Sequence, residues 1–417
     1  MRLGLLTQWF APEPGPASLP AVLARELGRR GHDVRVVTGF PNYPTGRVMP
    51  GYRLSRRMDE VVDGVHIRRV ALYPSHDASA IRRLTTYGTF AVSAVASGMD
   101  ALHGLDALWV SNSPITTALP AWWARFVHRI PLVLHVLDLW PDAVAPSGFL
   151  PDASTGRSIG RQTIERAMHG WCGAMYRSAA QVAYISPSVG DLLAGRGVPR
   201  EKLAYIPMWA DETPVSAPGD LRTELGLRDD QIVLVYAGTL GETQGLDVLL
   251  DACALVDDPR LVCLIAGSGL AEDRLRTRAK EAGLRSVTFL GRLPRTDMPA
   301  LMAAGDAHFV SLRPTGMAPY TMPSKVQAIL AAGRALLTAV DGDVATVARD
   351  SGAGITARPG DVSSIADGIR ELCQLGREKL HLLGRAGRDY YRREFSLATG
   401  VRRVEAALHA AVIGGRR

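Results

Sequence analysis

Lysine is almost absent from this chain: Lys202, Lys280, Lys325 and Lys379 stand against 44 arginines in 417 residues. Cysteine is equally scarce. Cys172, Cys253, Cys263 and Cys373 form no CxxC pair and no metal-ligand spacing, which excludes a zinc module and fits a reducing compartment. The uncharged stretch Leu84 to Met99 has 16 residues and is rich in Ala, Ser and Thr, short of the roughly 20 apolar residues that span a bilayer. It reads as a core helix, or as a helix lying on a membrane surface with its arginines at the headgroups. The chain opens directly on the strand-like RLGLL, so no signal peptide is expected and the protein is placed in the cytoplasm. No GxGxxG follows that strand, which argues against a dehydrogenase. No nucleic-acid motif accompanies the scattered arginine pairs, so no nucleic-acid partner is expected.

What is present describes a globular protein. Apolar residues make up 47% and charged residues 21%, enough for two or three domains with sizeable cores. The net charge of +7 is uneven: residues 1–205 hold 22 basic against 15 acidic side chains, whereas residues 206–417 hold 26 of each. A basic half suits an acidic small molecule or an anionic membrane.

Apolar runs at 2–6, 33–38, 65–70, 106–111, 131–138 and 181–186 read as strands separated by helical patterns. The first helix is predicted over Ser18 to Arg30, with Ser18 as its cap and Gly31 as its stop. After Ile206 a proline-bearing stretch breaks the rhythm, which restarts with strands at 232–238, 261–267, 287–291, 307–312 and 335–340. The fold class predicted is α/β, with two Rossmann-like doubly wound domains. The first spans 1–205 and the second 206–395. A helical end, roughly Gly376 to Ile413, remains after the second sheet is complete.

Ligands of open parallel sheets bind beyond the carboxyl ends of the strands. Three such ends carry chemistry. The loop Trp9 to Pro20 precedes a helix amino terminus able to receive an anionic oxygen. The run HVLDLWPD presents His135 and Asp138 as groups that hydrogen-bond hydroxyls or take a proton, although strand alternation sends the two to opposite faces. A lone His on an apolar strand also reads as a core residue. In GTLGETQG, Gly238, Thr239, Gln244 and Gly245 form a glycine-rich turn before a helix, where backbone can approach a phosphate. Gly291 with Arg292, and Pro323, Ser324 and Lys325 at the start of another helix, converge with it. A cation in the first turn of a helix opposes the helix dipole unless an anion is bound.

The series WFAPEPGPAS, FPNYPTGR, DLWPD, YAGTLGETQGLD, VTFLGRLP, PSK and AAG resembles the family 4 retaining glycosyltransferases of the GT-B fold. It is especially similar to the bacterial subgroup with colanic acid fucosyltransferases and O-antigen N-acetylfucosamine transferases. The resemblance implies two domains facing a central cleft, a nucleotide-diphosphate sugar held mostly by the second, and an acceptor held mostly by the first. It implies retention of configuration without a metal or other cofactor, a last helix (about 396–417) packing back on the first domain, and Gly15 and Pro16 beside the donor phosphates. This chain departs from the family pattern. Thr239 and Gln244 occupy the positions of the arginine and lysine that neutralise the diphosphate, and Tyr320 and Ala328 those of two glutamates.

A departing diphosphate still needs positive charge. Lys325 is the expected substitute, with Arg292 and Arg313 behind it. The chemistry expected is front-face displacement, with Asp138 and His135 orienting sugar or acceptor and no carboxylate pair of the glycoside hydrolase kind. The basic first half, Leu84 to Met99, and Trp122 and Trp123 near Arg125, His128 and Arg129 suit a lipid-linked acceptor and peripheral contact with the inner membrane face. Those tryptophans also read as core. A small soluble acceptor, such as an inositol phosphate, a thiol or an antibiotic precursor, is the alternative, with a nucleotide-sugar 2-epimerase or a non-catalytic nucleotide-sugar binding protein as readings of another class.

Overall fold

A computed structural model of the chain describes residues 1–76, 79–142, 158–212 and 219–415, without the side chains of 16, 80 and 158–161. It divides into two compact units. The first comprises Met1–Ile206 with Val401–Arg417, the second Pro207–Gly400.

The sheet of the first unit contains β1 (Arg2–Leu6), β2 (Asp33–Gly39), β3 (Arg57–Val62), β4 (Val65–Val70), β5 (Ala107–Ser111), β6 (Leu132–Val136), β7 (Gln181–Tyr184) and β8 (Leu203–Tyr205). Their spatial order is β3-β4-β2-β1-β5-β6-β7-β8, all parallel except β3, which runs antiparallel to β4. The continuous apolar runs of β1, β5 and β6 are buried on both faces, as a helix-covered parallel sheet requires. β3 is an edge ribbon that a period-2 apolar pattern does not show. Its Asp59 and Glu60 instead pair across the ladder with Arg68 and Arg69.

The second unit repeats the plan with β9 (Ile232–Ala237), β10 (Leu261–Ala266), β11 (Val287–Gly291), β12 (Ala307–Ser311), β13 (Ala335–Ala339) and β14 (Gly354–Thr356), in the order β11-β10-β9-β12-β13-β14, all parallel. In each sheet the strand order reverses beside the first strand, between β1 and β5 and between β9 and β12. That is where an open sheet leaves a crevice at its carboxyl edge.

The helices at the two ends of the chain differ from the sequence expectation. The first helix starts at Leu19 after a 3-10 turn over Gly15–Ser18, and the Ser18 hydroxyl donates back to the Gly15 carbonyl at 2.7 Å instead of capping the helix. The terminal helical stretch is two helices. Val362–Glu394 is broken at Gly376, whose backbone is non-helical, and Leu397–Gly415 follows. From Val401 onward the last helix belongs to the first unit, where Glu405 pairs with Arg30 at 2.8 Å and His32 at 3.0 Å.

Candidate functional site

The second unit gathers most of the predicted donor residues at the reversal between β9 and β12. After β9 the chain turns through Gly238 and Thr239, passes Gln244, and enters the helix Leu246–Ala254 with Gly245 as its N-cap. Two bonds tie this loop to the end of β12: the Ser311 hydroxyl donates to the Gln244 carbonyl at 2.6 Å, and the Arg313 N–H to the Thr243 carbonyl at 2.8 Å. Gly238 and Gly267, the residue after β10, both have positive φ. A Cβ on Gly267 would lie 1.8 Å from the Gly238 carbonyl oxygen, so only glycine lets the two loops meet.

Lys325 enters from the following helix, Ser324–Ala331, whose N-cap is Pro323. Its aliphatic stem runs under the β9 turn: a Cβ on Gly238 would sit 2.5 Å from Cε and 2.8 Å from Nζ. The ammonium donates to Tyr236 Oη at 2.7 Å and lies 4.0 Å from that ring's centroid. Tyr236 in turn donates to the Thr239 carbonyl at 2.7 Å, so the lysine and the loop are joined through one phenol. Among the described residues no carboxylate offsets the burial of this cation, and desolvation pushes its pKa down from 10.5 to about 8. Tyr236 was not legible as a site residue, because an aromatic inside an apolar strand reads as core.

The other expected cations stand elsewhere. Arg313 is engaged: Nη2 donates to Asp247 at 2.8 Å and Nε to the Glu242 carbonyl at 2.7 Å. Its charge is paired with Asp247, so this arginine ties the turn to the end of β12. Arg292 is exposed after β11, two strands away from β9. Gln244 keeps a buried Oε1 without a partner where the family pattern has its lysine.

In the first unit His135 belongs to β6, whereas Asp138 follows its end at Val136. His135 is buried within β6 against Trp109, ring centroids 4.9 Å apart, and desolvation lowers its pKa to about 3. The imidazole is therefore neutral near neutral pH and a weak base, and its Nε2 is buried without a hydrogen-bond partner. Asp138 lies just beyond the strand and is half-buried. Its backbone is fixed by Asn112, which donates from Nδ2 to the Asp138 carbonyl at 3.0 Å and accepts from the Leu137 N–H at 2.9 Å. Its charge helps to raise the pKa of Tyr87, after the larger effect of burial, and Tyr87 packs edge-on to Trp9.

The Trp9 loop is built around Glu13, another residue the sequence left unremarked. Its buried carboxylate accepts from the N–H groups of Phe10 (2.9 Å), Asn42 (2.8 Å) and Tyr43 (2.9 Å), binding APEPG to FPNYPTG. Burial is the larger influence and raises its pKa, while these N–H groups and Arg69 pull it down. Gly15 begins the 3-10 turn that follows and is exposed. The Pro16 side chain lies outside the described residues. Among the described residues no group of three or more His, Cys, Asp or Glu is placed to hold a metal ion.

Comparison with known proteins gives the class. Residues 15–209 match the glycosyl transferase 4-like domain and residues 219–390 the glycosyl transferases group 1 family, so the two matches fall on the two units in turn. Each unit thus carries a glycosyltransferase domain match, and the two Rossmann-like units have the fold of the GT-B glycosyltransferases. It is 29% identical over 342 residues to WcaI of Escherichia coli K12, named as a glycosyl transferase of colanic acid biosynthesis, covering 79% of this chain and 81% of the relative. Among solved structures, sucrose-phosphate synthase from Thermosynechococcus elongatus superimposes with a TM-score of 0.71 at 16% identity over 98% of each chain. HepE of Anabaena in complex with UDP-glucose does so with 0.69 at 18% identity, over 98% of this chain and all of that one.

Proposed function

We propose that this glycosyltransferase takes its sugar from a nucleotide-diphosphate sugar held by the second unit, and transfers it with retention of configuration to a lipid-linked acceptor in surface polysaccharide or glycoconjugate assembly. One observation carries the reading: an ammonium buried with no carboxylate beside it among the described residues, at the mouth of a glycine-rich turn, at the reversal point of a parallel sheet. Such a group is destabilising until an anion arrives, and a diphosphate supplies two phosphates' worth of charge to it. Support also comes from the similarity to WcaI and to a protein solved with UDP-glucose.

In the proposed step the bond between the anomeric carbon and the diphosphate oxygen breaks as the acceptor oxygen bonds to the same face of that carbon. The acceptor's proton passes to the leaving phosphate oxygen. Lys325 stabilises the charge growing on that phosphate, in the absence of the two cations replaced by Thr239 and Gln244. The N–H groups of the 238–245 loop and of the helix behind Gly245 face the same charge. Asp138, on the first unit, accepts a hydrogen bond from a hydroxyl of the acceptor other than the one that reacts.

A thermal-shift panel of UDP, GDP, dTDP and ADP tests the donor half. One or two of these should stabilise the protein, and Lys325→Ala should abolish the shift. No shift with any diphosphate, or an equal shift in the variant, removes the reading. With the stabilising nucleotide's sugar in hand, release of a free epimerised nucleotide sugar would instead identify an epimerase.

A further inference from the structure

Seven of the 16 exposed large apolar side chains among the described residues fall on two neighbouring helical segments of the first unit. On the helix Ala80–Ser97, Ile81 is 77% exposed, Leu84 50% and Val92 64%, while Thr86, Phe90, Ala91 and Ala94 face the core. Ile81, Thr85, Gly88 and Val92 recur at spacings of four, three and four, so the outward stripe of this helix carries no charge. The helix Ala118–Phe126 packs beside it and repeats the arrangement. Leu119, Trp123 and Phe126 are exposed on one stripe with Val127 just beyond it, and Phe126 reaches 69%, whereas Ala118, Ala121 and Ala124 are buried. The adjacent Trp122 turns the other way. Its Nε1 donates to Ser178 Oγ at 3.0 Å and its ring lies 4.8 Å from that of Trp171. Of the tryptophan pair, one is core and one is not.

Charge selects what covers such a face. From Ala107 to Leu137 there is no Asp or Glu, nor any from Ser79 to Met99, while Arg82, Arg83, Arg125 and Arg129 flank the apolar stripes. A second copy of this chain would bring four arginines against four. A surface that pairs apolar depth with negative headgroups satisfies both features. No described helix is long and apolar enough to cross a membrane.

We infer that the outer faces of Ala80–Ser97 and Ala118–Val127 form a docking surface for an anionic lipid bilayer, with Trp123, Phe126 and Ile81 entering the interfacial layer and Arg125 and Arg129 at the headgroups. The docking does not depend on the nature of the donor. It is measured without nucleotide sugar, so its failure and that of the proposed transfer are distinguishable.

The experiment is co-sedimentation of the full chain with vesicles of phosphatidylcholine alone, or with 30 mol% phosphatidylglycerol, at about 50 and about 300 mM salt. Binding is expected to the anionic vesicles, weaker at high salt. Phe126→Glu with Val127→Glu should abolish it. Arg125→Gln and Arg129→Gln should each weaken it about fivefold. All four side chains lie outside the core, and an unchanged melting temperature confirms that each variant is folded. No binding to anionic vesicles overturns the inference, as does equal binding by the folded double-glutamate variant. Sedimentation velocity covers the remaining occupant: a dimer of the wild-type chain that the same double variant converts to monomer, without lipid binding, also overturns it.

Discussion

Replacing Lys325 by Met tests whether the buried ammonium is a site for an anion or part of the core. Its pKa falls from 10.5 to about 8, which corresponds to about 3 kcal/mol of unfavourable burial for the charged form. Met fills similar volume without that penalty but forfeits the bond to Tyr236 and the ring contact, about 1 kcal/mol each. The unliganded variant should therefore be more stable by about 1 kcal/mol, with a melting temperature about 2–4 °C higher. Its nucleotide affinity should move the other way. In the wild type only the protonated lysine receives the diphosphate, so affinity holds below pH 8 and declines above it. By pH 9.5 about 3% of the free protein still carries the charge, and binding should be about 30-fold weaker than at pH 7. Calorimetric titration of the stabilising nucleotide across this range, taken as the ratio of wild type to Lys325→Met, cancels ionisation of the base. A ratio that does not change between pH 7 and 9.5, or a variant that binds as tightly as wild type, refutes the reasoning.

Gly267→Ala should destabilise the second unit by at least about 2 kcal/mol in urea melts, because its Cβ would overlap the Gly238 carbonyl and a backbone cannot step aside as a side chain can. Glu13→Gln should cost the first unit about 1–3 kcal/mol. The amide presents one oxygen and one NH2 to three N–H donors, so at least one buried donor loses its acceptor. His135 makes a pH prediction: with its folded pKa near 3 and an unfolded value near 6.5, the unfolded chain binds the extra proton between those values. Stability from this group is complete above pH 6.5 and falls as the pH drops, by about 2 kcal/mol at pH 5. The wild-type curve should converge on that of His135→Phe by about this amount over that interval, and parallel curves would contradict it.

Much of the fold was legible because parallel strands buried on both faces announce themselves as apolar runs. β1, β4, β5 and β11 end where the runs end, β2 runs one residue further, and the other core strands stop one or two residues earlier, as the chain turns into its loops. The edges were not. β3 is stabilised by carboxylate–arginine pairs across its ladder, and β8 and β14 have three residues each, so none presents a hydrophobic signal. At the site, scarcity marked out Lys325 and glycine spacing marked the turn. What composition could not disclose was partnership. Arg313 and Arg292 are the same residue type, yet one is neutralised by Asp247 while the other faces solvent. Glu13 reads as an ordinary loop acid until its three amide partners, two of them about 30 residues away, come together. The strand ends at Val136, so Asp138 lies in the loop beyond it, where alternation along the strand no longer applies.

The return of the carboxyl-terminal helix to Arg30 and His32 makes the first unit discontinuous in the polypeptide, with residues 207–400 intervening as though spliced into it. A gene cut at codon 206 would encode an unfinished amino-terminal half, lacking the segment that buries Val401, Val404, Leu408 and Ala411. During translation the portion made first must likewise wait for the portion made last. A separately supplied 397–417 peptide should complement the shortened fragment, while 207–400 is the stretch to express by itself.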